Sequence, residues 1–192
     1  MKFPSKLLKI LGISFPVTAY STIFISIIFA PWFSWYRNAL SDLGAYHATA
    51  LIFNSGLIIS GSMYAIYSIV LLNRLRYLVG KIGAFILLID AISLSLVGVF
   101  PETVGELHGL FAVLYFILFS IAFLFLGIHF LKYENDSKYF LLGCLFSTMG
   151  LGIWFLPWKI WGISGIAIPE FIASLANTIY IVLLSFRLDQ RK

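Results

Sequence analysis

Six long apolar runs, each closed by a short stretch rich in polar residues, Pro or Gly, organise this chain, at roughly 10–29, 50–72, 82–100, 108–131, 139–156 and 168–186. Each reaches the ~18 residues a helix needs to cross the hydrocarbon core of a bilayer. A transmembrane barrel would instead alternate polarity over ~10-residue segments, and no such alternation is present. The pattern predicts an all-α polytopic protein, one bundle of six transmembrane helices forming a single domain over residues 1–192. The connections are too short to hold a soluble domain.

Composition agrees with the pattern. Of 192 residues, 61% are hydrophobic and 11% charged, against about a quarter charged in a soluble domain. Lys2, Lys6 and Lys9 before the first run resemble a secretory signal, but that run is longer than a signal core and ends in Ile28-Phe29-Ala30-Pro31, without the small residue cleavage favours. It is expected to remain as the first span. With six spans both termini share one side, and that side holds Lys2, Lys6, Lys9, Arg74, Arg76, Lys81, Lys132, Lys138, Arg187, Arg191 and Lys192; the other holds Arg37 and Lys159. The positive-inside rule then places both termini in the cytoplasm of a multi-pass cell-membrane protein. The net charge of +5 is accounted for by a basic rim facing anionic lipid. Membrane lipids are the expected partners, and no nucleic acid is implied; the sequence leaves oligomeric state open.

The few polar residues inside or between the spans carry the candidate chemistry. Phe100 to Gly109, FPETVGELHG, places Glu102, Glu106 and His108 in a Pro-broken turn on the outer side. His108 leads Ala112, Tyr115 and Phe119 along one helical face into the bundle. Glu170, Ser174 and Asn177 form a stripe on the sixth span, which such spacing turns inward. Asp90 lies roughly 12 Å inside the third span at 1.5 Å per residue, where an ionised carboxylate needs a partner. Ser62, Thr148 and Asn177 come to similar depth, so a buried polar layer of Asp90, Asn177, Ser62 and Thr148 is expected. The loop Lys132 to Lys138 reads as a solvated turn of balanced charge.

The longest outer connection, Pro31 to Thr49, interleaves aromatic and polar residues. If Ser34 caps a short helix, Arg37 and Ser41 share a face with Asn38 and Asp42 beside them, and Gly44 ends it. The result is an amphipathic lid over the outer mouth. Here Tyr36-Arg37-Asn38-Ala39-Leu40-Ser41-Asp42-Leu43-Gly44, Phe53-Asn54, and Gly98-Val99-Phe100-Pro101-Glu102 with His108 resemble the recurring pattern of a six-span family catalogued as domain of unknown function 998. The resemblance covers nearly the whole chain; it implies a six-helix fold with these residues grouped at one end, and no reaction.

The outer ends together supply Arg37, Asp42, His47, Glu102, Glu106, His108, Lys159 and Glu170. Carboxylates gathered in a partly dry site suit acid/base work or cation binding. The expected function is an outward-facing pocket for a lipid head group or small amphiphile. His108, Glu102 and Glu170 orient polar groups or pass a proton, and Arg37, Asn38, Asp42, His47 and Asn54 bind the ligand. The alternatives are a lipid-directed hydrolase or transferase using the same cluster, possible as a metal-dependent enzyme, and a proton- or cation-coupled transporter running through Glu170, Asn177 and Asp90.

Named chemistries narrow the field. His129 sits 21 residues beyond His108 on one helix, about 31 Å away, so a three-histidine zinc site is excluded, while a mixed site of His108 with two of Glu102, Glu106, Glu170 or Asp42 stays open. No strict ligand spacing supports a metal, and none is assigned. Cys144 stands alone, and no GxGxxG, Walker A, HExxH or CxxC occurs. No cofactor is identified.

Overall fold

The computed structural model describes residues 5–189; Lys2, Arg191 and Lys192, counted above on the terminal side, lie outside the described residues. Among those described there are seven α-helices: α1 (Ser5–Ile28), α2 (Asp42–Ala45), α3 (His47–Arg74), α4 (Leu78–Val99), α5 (Glu106–Glu134), α6 (Ser137–Gly152) and α7 (Ala167–Asp189). Six are long and apolar enough to cross a membrane, the shortest being α6 with the 3-10 turn that carries it to Phe155. Every predicted run corresponds to one of them.

Successive long helices pack against each other and α7 returns to α1, which closes a ring of six. Small residues set its tightness. A Cβ on Gly98 of α4 would lie 2.6 Å from the Asn54 carbonyl oxygen of α3, and one on Gly61 of α3 would lie 2.7 Å from the Ser95 backbone nitrogen. Helices in lipid gain stability from such close approach, because burial of apolar surface gives no net drive there. Aromatics fill the interior, with Phe15 stacked on Tyr64 at 4.5 Å and Phe123 against Tyr180 at 4.2 Å.

The start of α1 and the end of α7 lie at the same end of the ring, where Lys9 meets Asp189 at 3.5 Å. The turn before α6 differs from the solvated loop expected. Arg187 from the last turn of α7 reaches Asp136 at 2.9 Å and Glu134 at 3.7 Å, and Glu134 also meets His129 at 3.4 Å. Asn135 makes this folding back possible by adopting φ 53° at the end of α5.

The polar layer forms with altered membership. Asp90 and Asn177 are fully buried, and Asn177 Nδ2 lies 3.5 Å from Asp90 Oδ2 and 3.4 Å from the Tyr115 hydroxyl, while Tyr64 donates to Asn177 Oδ1 at 3.2 Å. Ser62 and Thr148 are exposed on the outside of the ring, and Ser62 spends its hydroxyl on Ile58 of its own helix at 2.7 Å. Depth alone had grouped them. Ser62 and Tyr64 are nearly level, but two residues turn a helix by ~200°, so one faces lipid and the other the core.

Substituting Gly98 by Ala should destabilise the protein by about 1–3 kcal/mol, as overpacking does. Gly109→Ala, where a Cβ meets nothing within 4 Å, should leave thermal melting of the purified protein unchanged or raised.

Candidate functional site: a chamber beneath the lid

The end opposite the termini is roofed by residues 29–46, and hydrogen bonds fix that roof. Asn38 Oδ1 accepts the Ser34 N–H at 2.9 Å, and Asn38 Nδ2 donates to Asp42 Oδ2 at 2.6 Å, which also takes the Ala39 N–H at 3.1 Å. Short polar side chains that bond nearby backbone compete with helix formation. The helix expected after Ser34 is therefore a series of turns, and helix appears only at α2. Gly44 lies inside α2 rather than ending it, buried where a Cβ would strike Asn54.

The roof is tied to α7 by backbone. The Asn38 carbonyl accepts the N–H groups of Ile166 and Ala167 at 3.1 and 2.9 Å, and the Tyr36 carbonyl accepts those of Ser164 and Gly165 at 2.8 and 2.9 Å. The first-turn donors of a helix otherwise lack partners. Gly165 permits the contact, since a Cβ there would lie 2.4 Å from Asn38 oxygen. One turn into α7, Glu170 Oε2 accepts the Leu40 N–H at 2.6 Å.

Beneath the roof lie two adjoining cavities that share Ser41, His108, Ala112, Phe116 and Glu170. The inner one, about 70 Å³, is bounded by α1, α3, α4, α5, α7 and the roof. Tyr20 stands on its wall, its hydroxyl 3.0 Å from Thr178 and 3.3 Å from Ser174. The outer one, about 670 Å³, opens sideways between α5, the end of α6 and the start of α7, past Val113, Ile117, Leu151 and Phe155. Val113 and Phe155 are 55% and 86% exposed, so this mouth is on the apolar flank of the ring.

His108 and Glu170 are each 7% exposed. The His108 Nδ1 lies 2.8 Å from the Phe100 carbonyl. A carbonyl only accepts, so Nδ1 carries the hydrogen, and Nε2 is left with a lone pair in the neutral ring. Glu102, in the turn before α5, lines the outer cavity together with Ser41 and His108 and lies close to Asp42. Desolvation first, and then the Asp42 carboxylate, hold the Glu102 carboxyl above its ordinary value of 4.5, with Ser41 and His108 opposing. Its side chain remains exposed, so water screens part of this effect.

Of the predicted site residues, the structure brings together Glu102, His108 and Glu170 around the chamber. Asn38 and Asp42 build the roof instead of its lining. Asn54 is likewise structural, donating to the Gly44 carbonyl at 3.0 Å. Arg37 and His47 are exposed and line neither cavity, because the roof's bonds face inward and turn their side chains out. Among the described residues no three of His, Cys, Asp and Glu are placed to hold one metal ion. Sequence reasoning missed the Leu40 N–H, which as a backbone group has no residue signature, and the place of Tyr20, a lone phenol in an apolar run.

Six membrane-length apolar helices in a closed ring define a multi-pass helical membrane protein. Residues 15–187 match the family described as "Protein of unknown function (DUF998)", and the chain belongs to it. No curated protein and no solved structure matches the chain.

Because the raised Glu102 value makes the folded state hold its proton more tightly, this carboxyl favours folding fully below about 4.5 and loses that contribution as pH rises through its folded value. Melting curves from pH 4 to pH 8 should therefore show Glu102→Gln gaining stability relative to wild type as pH increases.

Proposed function

We propose that this protein holds a single lipid or small amphiphile, head group in the chamber and chain out through the lateral mouth, at the extracytoplasmic side of the cell membrane. The observation that carries this reading is the junction of a small chamber bearing Ser41, His108 and Glu170 with a much larger apolar-walled opening. Binding sites combine a mostly apolar lining with a few converging polar groups, and here the two are graded from inside to flank. The charge asymmetry of the loops supports the orientation.

A second reading, a lipid-directed hydrolase or transferase, has one observation behind it. The bond from Nδ1 to the Phe100 carbonyl sets the His108 ring with Nε2 as a candidate general base in cavities that the Ser41 hydroxyl also lines. Transport through Asp90 has less support, since Asp90 is enclosed by protein and lines neither cavity.

Native mass spectrometry of protein extracted gently from its membrane tests the proposal. A bound amphiphile is expected on the wild type. Gly109→Phe, set on the outer cavity wall with free space around its Cβ, should plug the mouth and cut occupancy about tenfold without lowering the melting temperature of the empty protein. Equal occupancy in Gly109→Phe, His108→Ala and Glu170→Ala would sink the reading.

A further inference from the structure

Resting on that reading, the chemistry of the chamber wall narrows the occupant. No Lys or Arg lines either cavity; the two cations at this end, Arg37 and Lys159, are both exposed. Apart from hydroxyls, which can donate or accept, and the Trp154 indole on the outer wall, the polar groups presented are acceptors. Glu170 has one oxygen on the Leu40 N–H, and its other, Oε1, takes no hydrogen bond among the described residues although the side chain is 93% enclosed, being 7% exposed. His108 has Nδ1 engaged on a carbonyl and Nε2 without a partner among the described residues. Glu102, a third acceptor, lines the outer cavity and not the inner one.

A phosphate or sulfate head presents only acceptors and negative charge, so it would leave Glu170 Oε1 and His108 Nε2 without hydrogen and add like-charge repulsion. A quaternary ammonium matches the charge but has no hydrogen to give. A primary ammonium is a donor-only group with three N–H bonds and one positive charge, the complement of acceptors left without a hydrogen. Aromatic rings of Tyr115 and Phe116 beside it add attraction for a cation. We propose that the chamber selects an amphiphile whose head ends in a protonated primary amine, held by Glu170 Oε1 and His108 Nε2, with Glu102 adding negative charge from the adjoining cavity.

The test uses the full chain in phosphatidylcholine nanodiscs, loaded at equal mole fraction with dodecylamine, dodecyltrimethylammonium or dodecyl phosphate, and native mass spectrometry of the released protein. Dodecylamine adducts are expected at least about tenfold above those of the other two, the scale of one charge-assisted hydrogen bond. Glu170→Gln should remove that preference, and Glu102→Gln, at an exposed side chain, should reduce it should Glu170→Gln fail to fold. Binding of the trimethyl or phosphate probe equal to or above that of the amine overturns the amine assignment and leaves the amphiphile pocket standing. Absence of adducts with all three probes overturns both.

Discussion

The roof-to-α7 seam is the constraint on which the chamber depends. The segment leading into α7 and the first residue of the helix carry N–H groups that need acceptors, and the carbonyls of Tyr36 and Asn38 supply them. Glu170 then returns a bond in the other direction to Leu40 at 2.6 Å. Between them these contacts hold the turn of Ser41 over the ring and bring Asp42 against Glu102. Gly165, with its backbone against that of Asn38, is the steric condition for all of it. A side chain at that position would lift the roof from the helix.

The same seam explains why the site was only partly legible in the sequence. The spans were readable because a bilayer imposes a length and a polarity that few other environments demand. His108 and Glu170 were readable because a polar residue in a 3.6-residue stripe on an apolar helix faces inward. Asn38 and Asp42 looked like ligands because polar residues in an aromatic loop resemble a binding surface, yet they bond Ser34, Ala39 and each other. Ser62 and Thr148 show the complementary error, since equal depth carries no information about which way a helix is turned. Contacts made by backbone, such as the Leu40 N–H, are open to any residue type and leave no mark in composition.

Two polar clusters follow one another down the interior of α7 and serve different ends. Asn177 ties Tyr64, Tyr115 and Asp90 into a knot that fixes α3, α4, α5 and α7 in mutual register. Interhelical hydrogen bonds of this kind are worth about 0.6 kcal/mol each in a membrane, so the knot specifies arrangement more than it adds stability. Ser174 and Glu170, about one and two turns above, line the inner cavity instead. Tyr115 touches both, lining the inner cavity and bonding to Asn177.

The sideways mouth has a consequence for what any occupant of the chamber would experience. A site open to water samples solutes by molarity, whereas one open through the flank past Val113, Ile117 and Phe155 samples the hydrocarbon phase by mole fraction. Discrimination would then rest on the first few atoms of the molecule, because the remainder of its chain stays among the surrounding acyl chains and contributes nearly the same free energy bound or unbound. Chain length would be read weakly and head chemistry strongly.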